Sequence, residues 1–218
     1  MPGRIIAIGD IHGYLKALDA ILEALEPGAE DTLVVLGDCI DRGPDSRGVV
    51  ERLMALSEQC RLITIVGNHE EMLLDVHGFR LHPDQWLYNG GQATLDSYET
   101  LSAREIPEPH VAFLKTGRRY FETDEHFFVH ANYIADVPLE EQSDWILRWA
   151  SLRGCEPGPH CSGKLAIVGH TPQPSGEILD LGYLKCIDTY CYGSGWLAAL
   201  DVATGIAWQA DAEGRLRE

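Results

Sequence analysis

Ile5-Ile6-Ala7-Ile8-Gly9-Asp10-Ile11-His12-Gly13 carries an apolar run into a glycine, then into an aspartate and a histidine two residues apart. The same grammar recurs along the chain. Leu33-Val34-Val35-Leu36 ends at Gly37-Asp38, and Ile63-Thr64-Ile65-Val66 ends at Gly67-Asn68. Phe127-Phe128-Val129 delivers His130, and Leu165-Ala166-Ile167-Val168 delivers Gly169-His170. Short continuous apolar runs of this kind predict buried strands. Polar residues just past the carboxyl ends of such strands are where α/β proteins place their sites. Repeated endings in Asp, Asn or His predict a metal centre.

Working outward, strand 4–8 is followed by Leu15, Leu18, Ile21, Leu22 and Leu25, and strand 32–36 by Val49, Val50, Leu53, Met54 and Leu56, both at helical spacing. Strand 62–66 leads into a short helix over 70–76. This is a βαβαβ unit with parallel pairing expected. Residues 78–117 read as short helices and turns. A hairpin is expected over 119–130, a helix over 144–152 and a loop over 154–163. Strands are expected at 165–168, 177–180, 184–187, 196–201 and 206–209. Parallel units first and a strand meander last predict an α/β (α+β) fold of two packed mixed sheets with helices outside.

At 218 residues the chain can bury a real core, and no linker, repeat or low-complexity tract separates Asp10 from His170, so one domain over 1–218 is expected. Asp and Glu number 34 against 17 Lys and Arg, a formal charge of −17. That balance argues against a nucleic-acid or anionic-membrane binder, both of which need a basic face. Cations held beside Asp10 and Asp38, with Arg42 close by, would still make the local field positive enough for a phosphate. Cys39, Cys60, Cys155, Cys161, Cys186 and Cys191 lack a C-x-x-C spacing, no signal peptide is read at Met1-Pro2-Gly3-Arg4, and no apolar run is long enough to span a bilayer. The expectation is a cytoplasmic protein with reduced thiols, monomeric or weakly oligomeric.

Residues two apart at a strand end share a face, so Asp10 and His12 can grip one ion. Asp38, in Gly37-Asp38-Cys39-Ile40-Asp41-Arg42-Gly43, has two carboxylate oxygens with which to bridge two ions. Asn68 offers an amide oxygen, and His130 and His170 complete a second shell. Oxygen and nitrogen donors without sulfur favour Mn²⁺, with Fe or Zn²⁺ as alternatives. Two such ions are a known device for phosphate-ester hydrolysis. His69 is not needed as a ligand and is free to protonate a leaving oxygen, with Asp41 orienting its other nitrogen. The planar fork of Arg42 suits phosphate oxygens.

Gly9-Asp10-Ile11-His12-Gly13, Gly37-Asp38-Cys39-Ile40-Asp41-Arg42-Gly43, Gly67-Asn68-His69-Glu70, Val129-His130-Ala131 and Gly169-His170-Thr171-Pro172 resemble, in order, the signatures of the phosphoprotein phosphatase family of metallophosphoesterases. The likeness is to its compact bacterial and phage members, which include serine/threonine protein phosphatases and diadenosine-tetraphosphatase-like enzymes. Asn89-Gly90-Gly91 with Thr94-Leu95 also resembles the bacterial branch. The resemblance implies a single calcineurin-like domain with a four-layer fold. It implies one metal on Asp10, His12 and Asp38 and another on Asp38, Asn68, His130 and His170. It also implies His69 as general acid, paired with Asp41, and Arg42 and Asn68 on the substrate phosphate.

The family's second phosphate-binding arginine falls at Ser151 in this chain, between Arg148 and Arg153. A helix over 144–152 would put Arg148 one turn before Ser151 on the same face, whereas an extended segment would favour Arg153. The apolar pattern favours the helix, so Arg148 is the expected substrate-binding residue. Tyr190 stands where the family often has glycine. The expected function is a metal-dependent phosphomonoester hydrolase, first a protein phosphatase on phospho-Ser/Thr or phospho-Tyr. A dinucleoside polyphosphate hydrolase is the alternative, and a non-catalytic phospho-ligand binder the remote one. Either hydrolase would take a phosphorylated protein or a small phosphoester as its partner.

Overall fold

The computed structural model describes residues 3–218. Strands β1 (Ile5–Ile8), β2 (Thr32–Val35) and β3 (Arg61–Thr64) pair in parallel, linked by helices α1 (Leu15–Leu25) and α2 (Ser46–Ser57). Every residue of β2 is buried, as its unbroken apolar run requires. Helix α1 turns Ala17, Leu18, Ile21, Leu22 and Leu25 inward. Asp45 opens α2 by accepting the Gly48 N–H.

Helix α3 (Asn68–His77) starts directly at the end of the third crossing of the sheet. Short helices α4 (Pro83–Trp86) and α5 (Gln92–Ser97) flank a wide turn over 87–91, and α6 (Glu108–Lys115) follows. Strands β4 (Phe121–Glu122) and β5 (His126–Phe128) form the expected hairpin. Helix α7 (Asp144–Trp149) ends where Ala150 turns extended, short of the 144–152 expected from the sequence. Strands β6 (Leu165–Val168), β7 (Leu179–Asp180), β8 (Leu184–Cys186), β9 (Leu197–Asp201) and β10 (Ala207–Ala210) complete the described chain.

There are two mixed five-stranded sheets, ordered β10-β9-β1-β2-β3 and β4-β5-β6-β8-β7. The C-terminal strands are not one meander. Strands β6, β7 and β8 join the second sheet, while β9 and β10 return to the first and pair antiparallel beside β1. All five residues of β9 are buried, so it needs neighbours on both faces and both edges.

The pleat sorts the apolar residues into layers. Ala7, Val34, Ile63, Phe128, Ile167, Ala198 and Leu200 fill the space between the sheets. Ile6, Ile8, Leu33 and Val35 face the other way, onto α1, α2 and α3. On the far side Phe127, Val129, Ala166 and Val168 pack with Leu147 of α7. This is the expected four-layer arrangement, and it gathers the carboxyl ends of β1, β2, β3, β5 and β6 along one rim.

Candidate metal centre

Asp38 stands at the centre of that rim with its two oxygens facing different neighbours. Oδ1 lies 3.4 Å from His130 Nε2, and Oδ2 lies 3.5 Å from His12 Nε2. His12, Asp38 and His69 form one tight group of potential ligand atoms, and Asp38, His130 and His170 form another. Asn68 Oδ1 sits 3.0 Å from both His130 Nε2 and His170 Nδ1. Asp10 is buried beside them, and both of its oxygens accept the His170 backbone N–H at 3.1 Å. All six sequence-expected ligands are therefore neighbours, with Asp10 turned toward the backbone of His170 and His69 standing next to His12.

The proton count of this cluster fits cations. His12 Nδ1 donates to the Ile40 carbonyl at 2.9 Å, His130 Nδ1 to the Leu36 carbonyl at 2.8 Å, and His170 Nε2 to the Trp149 carbonyl at 3.1 Å. Each ring thus turns its other nitrogen, a bare lone pair, inward. His130 Nε2 and His170 Nδ1 then face each other at 3.1 Å and the Asn68 oxygen at 3.0 Å with no proton among them. Acceptors packed against acceptors repel unless a cation lies between them. The backbone carbonyls that fix each ring are the outer-shell partners expected of histidine ligands.

The electrostatics agree. Burial pushes His12 well below its usual pKa, lowers His130, and takes His170 to about 4, so all three are held neutral. Burial would raise Asp38, but its pKa is lowered all the same, and with those three rings neutral His69 is the neighbouring histidine that can carry the opposing charge. Asp10 is raised well above the usual carboxylate range by burial and by Asp188 and Asp38. Buried acids crowded this way call for positive charge.

Strain marks the same place. Nine non-glycine residues among those described have left-handed φ, and six of them are His12, Asp38, Asp41, Arg42, His170 and Tyr190. Backbone of this kind costs energy and persists where the surroundings dictate it. Gly67, before Asn68, has no room for a side chain, because a Cβ would strike Asp38 Oδ1.

His69 is set apart from the ligands by its wiring. Nδ1 donates to Asp41 Oδ2 at 2.7 Å, while Nε2 is buried without a partner. Burial disfavours its charged form, but Asp38 and Asp41 outweigh that and raise its pKa. Asp41 is held in turn by Trp86 Nε1 at 2.8 Å and Thr94 Oγ1 at 2.6 Å. Neither Trp86 nor Thr94 is marked as a site residue by the sequence, beyond the resemblance of the 89–95 motif that contains Thr94. Glu70 was also missed as a holder of the site. Its Oε2 accepts from Asp38 N at 2.8 Å and Gly67 N at 3.0 Å, and its Oε1 from Cys39 N at 2.8 Å.

The arginines divide differently from expectation. Arg42 reaches the cluster, with Nη1 donating to His12 Nε2 at 2.9 Å. Arg148 does not. Its Nη1 is paired with Glu71 and its Nη2 lies 3.3 Å from Asp144, so the helical placement was right but the side chain serves α3 and α7. Arg153 is exposed, donates to the Pro172 carbonyl at 2.8 Å beside His170 and Thr171, and contributes positive field at Asp188. His160 is bonded to Ser162 and to the Val137 carbonyl, and the loop 154–163 gathers no metal group among the described residues.

A two-sheet sandwich with a rim of neutral histidines and buried carboxylates defines the metallophosphoesterase class. Residues 3–193 match the family model for calcineurin-like phosphoesterases, and the chain belongs to that family. It is 33% identical over 141 residues to serine/threonine-protein phosphatase 1 of Salmonella typhimurium, covering 62% of this chain and 61% of that one. It is 41% identical over 70 residues to a symmetrical bis(5'-nucleosyl)-tetraphosphatase of Ralstonia nicotianae, covering 32% of this chain and 24% of that one. The chain therefore matches less than two thirds of either relative's length. The crystal structure of a provisionally assigned diadenosine tetraphosphatase superposes with a TM-score of 0.73 at 22% identity, over 96% of this chain and 94% of that one.

Proposed function

We propose that this metallophosphoesterase is a phosphomonoester hydrolase whose leading substrates are proteins phosphorylated on Ser or Thr, with phosphotyrosine also accepted. The observation that carries the reading is the buried, unpartnered Nε2 of His69, aimed beside Asp38 with Asp41 on the opposite nitrogen. A proton held there suits an alkoxide leaving group. The substrate class is supported by the Salmonella relative, a serine/threonine-protein phosphatase 33% identical over 141 residues.

Asp10, His12 and Asp38 would hold one divalent ion, and Asp38, Asn68, His130 and His170 another. Mn²⁺ is the first choice for these donors, with Fe or Zn²⁺ as alternatives. When bound, the pair supplies an activated water and neutralises charge on the phosphoryl oxygens. The chain's own residues do the rest. Arg42 binds a non-bridging phosphate oxygen, and Asn68 faces the same space. His69, protonated on both nitrogens, gives its Nε2 proton to the leaving oxygen and is left neutral, while Asp41 accepts from Nδ1–H, favours the charged ring beforehand and fixes its orientation. Arg153 replaces Arg148 as the second arginine available to the phosphate. The domain is taken as single over 1–218 and the compartment as cytoplasmic.

A second reading, hydrolysis of dinucleoside polyphosphates, is favoured by the 41% identity to a tetraphosphatase over a 70-residue segment. The deciding experiment is kcat/KM with Mn²⁺ on phosphopeptides, nucleotides and diadenosine tetraphosphate. Phosphopeptides ahead by ten-fold or more support the first reading. Diadenosine tetraphosphate ahead by that margin replaces it with the second.

A further inference from the structure

Arg42 lies against the cluster through His12, and an arginine needs its fork fixed to read a phosphate. The guanidinium carbon lies 4.1 Å from the centroid of the Tyr192 ring, within stacking range. The same ring meets His12 edge-on, with centroids 4.9 Å apart. Tyr192 is itself braced edge-on by Tyr190 at 4.8 Å. Gly193 lies over the Tyr190 ring so closely that a Cβ could not be added. On its backbone side, Arg42 donates its N–H to the Gly90 carbonyl at 3.1 Å, where Gly90 has φ 107. Arg42 is thus held between the 89–91 turn and a buttress of two tyrosines. Among the described residues the Tyr192 hydroxyl takes part in no hydrogen bond, and burial raises its pKa to about 12, so the ring is neutral at working pH.

We propose that Tyr192 is a positioning residue. Its ring face, not its hydroxyl, orients the Arg42 guanidinium over the centre and so sets the affinity for the substrate's phosphate. The inference rests on the phosphomonoesterase reading above, through Arg42. Tyr190 shares in this arrangement, since it backs the ring that holds the arginine.

The test is a double-mutant cycle. Tyr192→Leu and Tyr192→Phe are made in the wild-type and Arg42→Ala backgrounds. Hydrolysis of phenyl phosphate, the Kd for inorganic phosphate and the Kd for Mn²⁺ are measured for each. Tyr192→Phe should stay within about two-fold of wild type, because it keeps the ring. Tyr192→Leu should raise KM and the phosphate Kd by roughly 5- to 10-fold, as expected for lost ground-state contact, with kcat and Mn²⁺ affinity little changed. In the Arg42→Ala background, Tyr192→Leu should have no further effect. Tyr192→Met, of similar volume, serves if the leucine variant does not fold. Three results overturn the proposal: Phe as damaging as Leu, a Leu defect that persists undiminished without Arg42, or no Leu defect at all. An inactive wild type would instead contradict the phosphomonoesterase reading, so the two failures are distinguishable.

Discussion

His69 donates from Nδ1 to Asp41 Oδ2 across 2.7 Å, and both side chains are fully buried. Since the other ring nitrogen has no partner, the pair can hold one proton ready for transfer in a site that otherwise consists of acceptors. His69→Asn should therefore keep the bound metal and lower kcat by about 100-fold for alkyl phosphates, the usual scale for a lost general acid. Nitrophenyl phosphate, whose leaving group needs little protonation, should suffer far less. Equal losses on both substrates would point to a structural role.

Asp41 in turn depends on donors distant in sequence. Thr94→Val removes the 2.6 Å hydroxyl contact and leaves a buried carboxylate oxygen short of a partner. It should cost about 1–3 kcal/mol of stability, measurable by urea denaturation. It should also lower kcat about ten-fold with KM unchanged, if the energy lost falls on the proton-transfer step alone. A variant as active as wild type would show that Asp41 keeps its orientation without this contact.

Arg148 and Arg153 should separate cleanly. Arg148 is mostly shielded and clamps Glu71 and Asp144 together, so Arg148→Ala should lower stability by about 1–3 kcal/mol and leave kcat/KM within about three-fold. Arg153→Ala should fold normally and raise KM. A KM defect in Arg148→Ala without loss of stability would restore the role read from the sequence.

How much of this was legible before the structure follows from locality. Asp10, Asp38, Asn68, His130 and His170 each end an apolar run, so these candidate ligands announce themselves within about ten residues of chain. The parallel strand order then brings those ends to one rim. Partners fixed by packing left no such mark. Trp86 and Thr94 lie 45 and 53 residues from Asp41, and Glu71 lies 77 from Arg148. The return of β9 to the first sheet is a choice of edge, and an apolar run of five residues fits either sheet equally well. A helix over α7 was readable from its spacing, but the direction of the Arg148 side chain depended on which acid stood opposite.

Away from the centre, Arg4 and Asp31 offer a test of the fold's electrostatics. Asp31 accepts from Arg4 Nη2 at 2.6 Å, Arg4 N at 2.8 Å and Gly28 N at 2.9 Å, and the Arg4 bond leads in holding its pKa down to about 2. A carboxylate with a depressed folded pKa stabilises the protein above its unfolded value and loses that contribution as pH falls through the folded one. With the partial exposure of Arg4 discounted, the pair is worth about 1–2 kcal/mol at neutral pH. The stability gap between wild type and Asp31→Asn should be full at pH 6 and shrink from about pH 4 toward pH 2. A gap independent of pH would contradict the shift.

Metal dependence centred on Asp38 is the claim on which the rest depends, and one titration tests it. Metal content and nitrophenyl phosphate turnover are measured on the same samples after exhaustive chelation and then along a Mn²⁺ series, for wild type and for Asp38→Asn. Wild type should be inactive when stripped and recover fully as about two ions bind per chain, the stoichiometry of a dinuclear hydrolase. Asp38→Asn, having lost the charge that faces both ligand groups, should bind Mn²⁺ at least ten-fold more weakly, the upper end of losses seen when outer partners alone are removed being about 100-fold. Full turnover by demonstrably metal-free wild type would contradict the account.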